Sequence, residues 1–322
     1  MNDRLAPLPF ADPFLKTRLQ KNSEGALFSH EGTYSFRDGI YDFISHQGLS
    51  DKIINSQLFH DNRAQEYEEN LHLTFFTHGL DEDKCRSEFI AKLRLRPGAK
   101  VLEIAAGTGR DSKIIDKELI DGEFHITDIS REMLKIAQKK VGTDNLVSFS
   151  LAEASKLPFV DDYFDAVYSF GGVGEFPEIE VALAEMARVS KRGARVVFGD
   201  ESIAPWLRGS HFSEILATTN PQFLAEIPIH LIPDLARDLS LEFVINQSFY
   251  LISYTVGKGA PTANFDFEIP GLRGGTYRTR YEGQIEGLKA QSKERLYEYC
   301  RANQVSVHDF LENLLEREIG GA

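Results

Sequence analysis

The residues with the clearest chemical meaning lie in VLEIAAGTGRDS, residues 101–112, and at the end of the next apolar run, FHITDIS, residues 124–130. Gly107 and Gly109 let the backbone turn sharply and come close to a ligand. Asp128 would end a strand beside the first one, where a carboxylate can accept both hydroxyls of a ribose. These residue types predict a site for a nucleoside-bearing ligand.

Two details separate the candidate nucleosides. A dinucleotide fingerprint needs a third small residue where this chain has Ser112, and usually a glycine where it has Ala105, so the pattern suits a pyrophosphate poorly. Glu103, near the end of the first strand, would sit badly beside a diphosphate. It could instead pair, directly or through water, with the ammonium of a methionine moiety. The pattern therefore favours S-adenosylmethionine over a nicotinamide dinucleotide.

The segment Glu103 to Gly109 resembles the first motif of the class I S-adenosylmethionine-dependent methyltransferases, and Asp128 resembles their ribose-binding acid. Three more matches follow in the family's order: AEASKLPF (152–159), FDAVYSF (164–170) and EMARVSKRGARVVFGD (185–200). Four ordered motifs are far more specific than one glycine pair. The resemblance is to the broad group that includes the quinone-ring methyltransferases and many small-molecule enzymes.

This resemblance implies the cofactor contacts residue by residue. They are Tyr67, Glu103, Ala105, Gly107, Thr108, Gly109, Asp128, Ile129, Glu153 and Ser169. Glu153 departs from the family, which mostly has Asp there. Thr108 and Arg110 either touch the cofactor or simply begin the next helix. For Asp128 the alternative is an acid that caps the helix beginning near Ser130.

The acceptor side is less specific in sequence. The glycine-rich loop SFGGVGEF (169–176) follows the fourth core strand, where glycines allow close approach of a substrate or reflect a tight turn. Candidate acceptor contacts are Phe75, His78, Phe176, Trp206 and Arg273. Glu175 and His211 are the candidate catalytic residues, His211 as a general base, although a lone histidine is also a common structural or exposed residue. Arg273, Arg278 and Arg280 either hold an anionic substrate group or pair with the protein's own acids.

Strand-helix alternation predicts a Rossmann-like α/β fold, a mostly parallel sheet with helices on both faces. Its strands are expected near 100–104, 123–128, 146–151, 164–170 and 194–199. A helix near 230–240 and a strand pair, 241–247 and 249–257, should follow. Two tail helices are expected near 286–302 and 306–318, with Ser306 capping the second.

Four regions are expected along the chain. They are a small β-rich leader (1–50), lid helices (51–98), the cofactor-binding core (99–258) with an insertion at about 203–228, and a C-terminal helical extension (259–322). The leader has turn signals at Glu31-Gly32 and Asp38-Gly39. It is similar to the zinc-ribbon leader of some bacterial methyltransferases but lacks its cysteines, and His30 and His46 do not replace four ligands. A metal-free relic and an unrelated hairpin both remain open.

Composition limits the partners. A net charge of −13 disfavours nucleic acid, and the two cysteines, Cys85 and Cys300, are too few for a disulfide framework. No N-terminal apolar run is long enough for a signal peptide or membrane span, which indicates a cytoplasmic protein without a membrane partner. The C-terminal extension is expected either to form a homodimer or to close the pocket, and no metal is expected.

The sequence thus predicts a methyltransferase of small-molecule biosynthesis, in which proximity aligns the acceptor for in-line displacement and no dedicated base is evident. Two alternatives stay open. One is a protein or peptide methyltransferase, and the other is a non-catalytic partner that keeps the fold and binds the cofactor.

Overall fold

A computed structural model describes residues 9–23, 25–30, 32–44, 51–142, 144–270, 275–282 and 288–320, the side chains of residues 51, 52 and 282 excepted. The chain divides into two compact units, Met1–Gly259 and Ala260–Ala322, which are treated separately. The strands are β1 (Gln20–Lys21), β2 (Leu27–Phe28), β3 (Thr33–Tyr34), β4 (Phe36–Arg37), β5 (Ile40–Asp42), β6 (Lys100–Ile104), β7 (Glu123–Asp128), β8 (Leu146–Leu151), β9 (Phe164–Phe170), β10 (Ser190–Glu201), β11 (Ala236–Val244) and β12 (Phe249–Val256). The helices are α1 (Asp51–Asn70), α2 (His72–Thr77), α3 (Glu82–Ala91), α4 (Arg110–Glu118), α5 (Arg131–Ala137), α6 (Ile179–Val189), α7 (His211–Thr219), α8 (Tyr277–Glu282), α9 (Ala290–Ala302) and α10 (Val307–Ile319).

The first unit is built on a nine-stranded sheet in the order β11-β12-β10-β9-β6-β7-β8-β5-β4. Strands β5 to β10 pair in parallel, whereas β12 runs antiparallel to both β10 and β11. The direction in which successive strands are added to the sheet reverses between β6 and β9: β7 and β8 extend the sheet on one side of β6, and β9 and β10 extend it on the other. Crevices at such a reversal, outside the carboxyl ends of parallel strands, are where ligands bind in open α/β sheets.

Helices cover both faces of this sheet, as the sequence predicts. Successive residues of a strand point to opposite faces, and Val101 and Leu102 of β6 accordingly belong to two different buried clusters. The cluster around Leu102 includes Leu183 of α6, and the cluster around Val101 includes Ile115 of α4 and Leu134 of α5. The Rossmann-like fold class is therefore confirmed.

The leader contributes to the main sheet rather than standing beside it. Strand β5 pairs in parallel with β8, with Ile40 opposite Phe149, and β4 pairs antiparallel with β5. The turn between β4 and β5 is the predicted Asp38-Gly39, and both residues have positive φ, 54° and 76°. Strands β1, β2 and β3 form a separate small sheet. The resemblance of the leader to a zinc ribbon stays a prediction, and His46 and Glu31 lie outside the described residues.

The predicted helix near 230–240 is wrong. A short 3-10 turn, Pro228–Leu231, is followed by strand β11 from Ala236. Two prolines, Pro228 and Pro233, interrupt a helix in this stretch because each lacks a backbone donor. The region instead satisfies its backbone groups by pairing with β12, with Leu241 opposite Ile252. The insertion at 203–228 contains α7 and two more 3-10 turns, Pro205–Leu207 and Pro221–Leu224.

The second unit contains α8, α9 and α10. Ser306 caps α10, since its hydroxyl accepts the backbone N–H of Asp309 at 2.9 Å, which confirms the predicted cap. Arg278 pairs with Asp266 of its own unit at 2.7 Å, in line with the internal-pairing alternative for the arginine cluster. Arg273 lies outside the described residues. Among the helices that the structure describes, none combines the length and apolar character needed to cross a bilayer.

Candidate active site

A cavity of about 780 Å³ opens at the carboxyl ends of the parallel strands, within the usual range for small-molecule sites. Residues that follow β6, β7, β8, β9 and β10 line its floor. One face of α1 forms its roof, because lining residues recur along that helix every three or four positions, as one helical face requires. These α1 residues are Ile53, Ser56, Phe59, His60, Arg63 and Tyr67.

The turn after β6 is shaped by backbone conformation. Ala105 has a φ of 54°, Gly107 of 54° and Gly109 of 77°, all in the left-handed region where side chains are strained. A Cβ at Gly109 would stand 2.7 Å from the Cβ of Ala137, so this glycine also permits α4 and α5 to pack closely. A Cβ at Gly107 would stand 3.8 Å from Cε1 of Tyr67, which places that ring directly over the turn.

Asp128 lies at the end of β7 with both carboxylate oxygens engaged by backbone. Oδ2 accepts the N–H of Gly107 and Oδ1 the N–H of Ser130, each at 2.8 Å. Burial raises the pKa of Asp128, and the two backbone donors oppose that rise. The helix cap of α5 is Ser130 itself, whose hydroxyl accepts the N–H of Met133. Each Asp128 oxygen keeps a further lone pair, so the carboxylate fits two ribose hydroxyls from the cavity.

Ile129 and Glu153 line the cavity beyond Asp128. The Glu153 carboxylate accepts the hydroxyl of Ser155 through Oε1, and its Oε2 lies 3.2 Å from the Lys156 ammonium. Both partners lie within three residues along the chain, so they hold the side chain where it stands. Although Glu153 is one methylene longer than the Asp that most of the family has here, its side chain therefore still lies at the cavity wall.

Glu103 and Ser169, two predicted cofactor contacts, lie behind the cavity wall and not in it. The Glu103 carboxylate is buried and accepts the hydroxyl of Ser112 in the first turn of α4 at 2.5 Å. Burial raises the pKa of Glu103 well above its ordinary value, and the nearby charge of Asp111 adds to this. Ser112 holds this carboxylate beneath the turn, so the predicted pairing of Glu103 with an ammonium, directly or through water, stays a prediction.

An ion-pair network that the sequence did not reveal fastens the lid helices to the core. Buried Arg86 of α3 pairs with Asp111 and with Glu82, at 2.8 Å each. Arg110 joins the same Glu82 at 2.8 Å and also approaches Glu68 of α1, at 3.4 Å. Thr108 and Arg110 both line the cavity, and α4 begins at Arg110. Their position is therefore compatible with both alternatives, a cofactor contact and the start of the helix.

The far side of the cavity is formed by the loop after β9 and the end of β10. Glu175 and Phe176 line it, as does Phe75 of α2. Nε2 of His60 lies 2.7 Å from Oε2 of Glu175, and this hydrogen bond raises the pKa of His60. Sequence reasoning missed His60, although it lies seven residues before Tyr67 and therefore on the same helix face.

Asp200 and Glu201, at the carboxyl end of β10, were also missed. Both line the cavity. Oδ2 of Asp200 accepts the N–H of Gly174 at 2.5 Å, which anchors the glycine-rich loop. The signal that could have found them is their position, since acids that end a parallel strand fall at the ligand-binding edge of the sheet.

Three predicted acceptor-side residues lie elsewhere, outside the cavity lining. His211 is exposed at the first position of α7. Trp206 is 65% exposed and its indole N–H donates to Gln247. His78 ends α2, where its Nε2 lies 3.3 Å from the hydroxyl of Ser248 and burial lowers its pKa. The insertion carries His211 and Trp206 away from the strand ends, and His78 lies beside Ser248 after α2, so the cavity lining gives no support to the predicted base role of His211 or the acceptor roles of Trp206 and His78.

Fold and site together define a class I methyltransferase architecture, with a glycine turn after β6 and an acid at the end of β7. The family model described as a methyltransferase domain matches residues 102–198. The chain is 44% identical over 110 residues to the ubiquinone/menaquinone biosynthesis C-methyltransferase UbiE of Burkholderia multivorans, covering 34% of this chain and 45% of that protein. The protein of the same name from Burkholderia mallei gives the same figures. The chain carries a class I methyltransferase domain.

A solved structure shows the same fold. Haemonchus contortus phosphoethanolamine N-methyltransferase 2, in complex with S-adenosyl-L-methionine, superposes with a TM-score of 0.50 at 12% identity, over 66% of this chain and 61% of that one. The chain spans less than half the length of the curated relatives that it matches. The similarity therefore concerns the core domain and leaves the elements around the acceptor side to be argued from their own residues.

Proposed function

We propose that this chain is an S-adenosylmethionine-dependent methyltransferase acting on a small, partly apolar acceptor. The observation that carries the proposal is Asp128, a buried carboxylate with two free lone pairs facing a cavity that also borders the glycine turn. The matches to methyltransferases at residues 102–198 support the same donor. Tyr67, Ala105, Gly107 and Ile129 line the same part of the cavity.

The cofactor, when bound, supplies a methyl group on a sulfonium that is already strongly electrophilic. The residues of the chain then have to orient an acceptor and exclude water. The face of α1 covers the strand ends, and the ion pairs of Arg86 with Asp111 and of Glu82 with Arg110 hold α3 against α4 beneath it. Such a roofed cavity suits a small molecule better than a polypeptide segment. The acceptor contacts Phe75 and Phe176 remain part of the proposal.

Isothermal titration calorimetry tests the donor assignment. S-adenosylmethionine and S-adenosylhomocysteine should bind with one-to-one stoichiometry, and Asp128→Ala should weaken both by about tenfold or more, because two charge-assisted hydrogen bonds are lost. Asp144→Ala, which changes an exposed aspartate outside the cavity, is the matched control and should leave the affinity unchanged. If neither S-adenosylmethionine nor S-adenosylhomocysteine binds at high micromolar concentration, the proposal is refuted.

Turnover separates the enzyme from a non-catalytic binding protein. Formation of S-adenosylhomocysteine from S-adenosylmethionine is followed across a panel of small acceptors and unfolded peptides. Transfer to a small molecule supports the proposal, and transfer to peptides alone would redirect it to a protein methyltransferase. Cofactor binding with no transfer to any member of the panel would favour the non-catalytic alternative.

A further inference from the structure

The acid pair Asp200 and Glu201 occupies a specific part of the cavity. In the sheet order β10-β9-β6-β7, these residues end β10, whereas Asp128 ends β7, so two strands separate them. Asp128 and the glycine turn after β6 mark the donor side. Asp200 and Glu201 therefore line the opposite side, where the acceptor must enter.

This pair of acids has no cationic partner among the surrounding residues. Elsewhere in the lining, Arg86 and Arg110 each have acidic partners, and His60 has Glu175. Within the described residues, no lysine, arginine or histidine forms a salt bridge with Asp200 or Glu201. Both oxygens of Asp200 accept backbone N–H groups, from Gly174 and Glu201.

Glu201 is the carboxyl without a side-chain donor. In the part of the chain that the structure describes, the only side chain that pairs with it is Asp200, another carboxyl. Burial, followed by this neighbouring acid, raises the pKa of Glu201 well above its ordinary value. A half-buried acid that stands beside another acid and faces a cavity lacks a partner other than that acid, and a ligand that brings N–H donors would supply one.

Aromatic rings complete the surroundings. Phe75, Phe170 and Phe249 line the cavity with the acid pair, and the rings of Phe170 and Phe249 stack at 5.7 Å. Burial raises the pKa of Tyr67, the charge of Arg86 lowers it, and the nearby Glu201 raises it in turn, so the Tyr67 hydroxyl lies close to the acid pair. Carboxylates combined with aromatic faces attract an organic cation and repel an anion.

We propose that the acceptor is a small amine with an apolar body, which enters as an ammonium ion and is bound by Asp200 and Glu201. This inference rests on the proposed methyltransferase function and adds the chemical class of its acceptor. It favours nitrogen as the methylated atom over the carbon of a quinone ring or a carboxylate oxygen.

The transfer balances with the groups present. The bound ammonium gives one proton to the carboxyl pair and becomes a neutral amine. The nitrogen lone pair then forms the N–C bond while the C–S bond breaks. The two electrons of the C–S bond stay on sulfur. The product is an N-methylammonium and a thioether, and the proton held by the carboxyl pair leaves to solvent.

Matched ligand sets test the inference with the full chain saturated by S-adenosylhomocysteine. The amines are phenethylamine, benzylamine and tryptamine, and each is compared with the alcohol and the carboxylate of the same body. Calorimetry should show at least one amine binding about tenfold or more tighter than its alcohol, with no detectable carboxylate binding. Amines that bind no better than their alcohols, or not at all, would overturn the inference.

Variants identify the group responsible. Glu201→Gln keeps the shape of the side chain and should weaken the amine by about tenfold while S-adenosylhomocysteine binds as before. Glu201→Asp keeps the charge and should retain the amine preference. Glu226→Gln, at an exposed acid outside the cavity, is the control and should change nothing. Equal amine affinity in Glu201→Gln, or a parallel loss of S-adenosylhomocysteine affinity, would overturn the inference.

The two proposals fail differently. If S-adenosylhomocysteine does not bind the unmodified chain, both fall together. If it binds, and the amines show no preference, the donor assignment stands and only the amine assignment is lost.

Discussion

Gly109→Ala is the most informative single change, because the structure separates its two costs. The glycine has a φ of 77°, and a Cβ there would meet the Cβ of Ala137 at 2.7 Å and its Cα at 2.8 Å. The left-handed backbone costs about 1–2 kcal/mol for a non-glycine residue. Forcing an extra methyl against buried α5 costs about 1–3 kcal/mol more. The free energy of unfolding of the first unit should therefore fall by about 2–5 kcal/mol.

Gly98→Ala is the matched control for the backbone cost alone. Gly98 has a φ of 75°, and a Cβ there would have no atom within 4 Å. Only the left-handed term, about 1–2 kcal/mol, should appear. At about 2–4 °C per kcal/mol for a unit of this size, the melting temperatures of the two variants should differ by about 2–12 °C.

A second change checks that the contact with Ala137 is the cause. Ala137→Gly alone should destabilise by about 1 kcal/mol, as glycine does in a helix. Combined with Gly109→Ala it removes one of the colliding atoms, so the double variant should lose less than the sum of the single losses. Thermal unfolding followed by circular dichroism measures the unmodified protein, the three single variants and the double variant. Equal losses for Gly109→Ala and Gly98→Ala, or strictly additive changes in the double variant, would refute the packing argument.

The remaining predictions concern charge. Arg86→Leu should destabilise the first unit by about 3–5 kcal/mol in urea unfolding, because it leaves the buried carboxylate of Asp111 uncompensated. Glu175→Gln should lower the pKa of His60 in an NMR titration, since the Glu175 hydrogen bond is the largest cause of its rise. In the unmodified protein the pair of His60 and Glu175 should contribute its full stabilisation of α1 below pH 6.5. This contribution should be lost as the pH rises through the raised pKa of His60. The nearby imidazole of His125, 3.7 Å away, and then the hydroxyl of Tyr163 lower the pKa of Glu123 from 4.5 to about 2. Glu123 should therefore stabilise the fold above pH 4.5 and lose this effect as the pH falls towards 2, and Glu123→Gln should remove that part of the melting profile.

Each of these three has an outcome that would contradict it. For Arg86→Leu, a loss no greater than that of Lys135→Met, which breaks an exposed pair with Glu132, would show that the buried pair adds nothing. An unchanged His60 titration would exclude the hydrogen bond to Glu175 in solution. A Glu123→Gln melting profile parallel to the original at every pH would show that this carboxylate does not contribute.

The core strands could be predicted closely because their signals are local. Three of them, β6, β7 and β9, are apolar runs bounded by glycine, by acids or by both, and a strand buried on both faces needs little else to be recognised. The turn Asp38-Gly39 and the Ser306 cap were equally readable, because each rests on the conformational preference of one or two residues. The failed helix at 230–240 shows the limit, since pairing with β12 overrode local preference.

The candidate site divides in the same way. Asp128 and the turn from Ala105 to Gly109 belong to a contiguous strand-turn-helix pattern, so sequence alone could indicate a nucleoside and, with Glu103, an S-adenosylmethionine donor. The position of Glu103 beneath the turn depended on Ser112, a partner in the next helix, and it emerged only from the fold.

On the predicted acceptor side, the sequence analysis singled out residues by their chemical type. It missed residues that line the cavity only because of the way the chain folds. His211 and Trp206 are attractive side chains, yet the insertion turns them away from the cavity. His60 comes from a helix more than a hundred residues before Glu175, and Asp200 meets Gly174 across the ends of two strands. By itself the sequence determined the fold class and the donor side, because neighbours along the chain create both. Only the tertiary structure decided which further acids line the cavity, because that depends on strand order and on where distant helices pack.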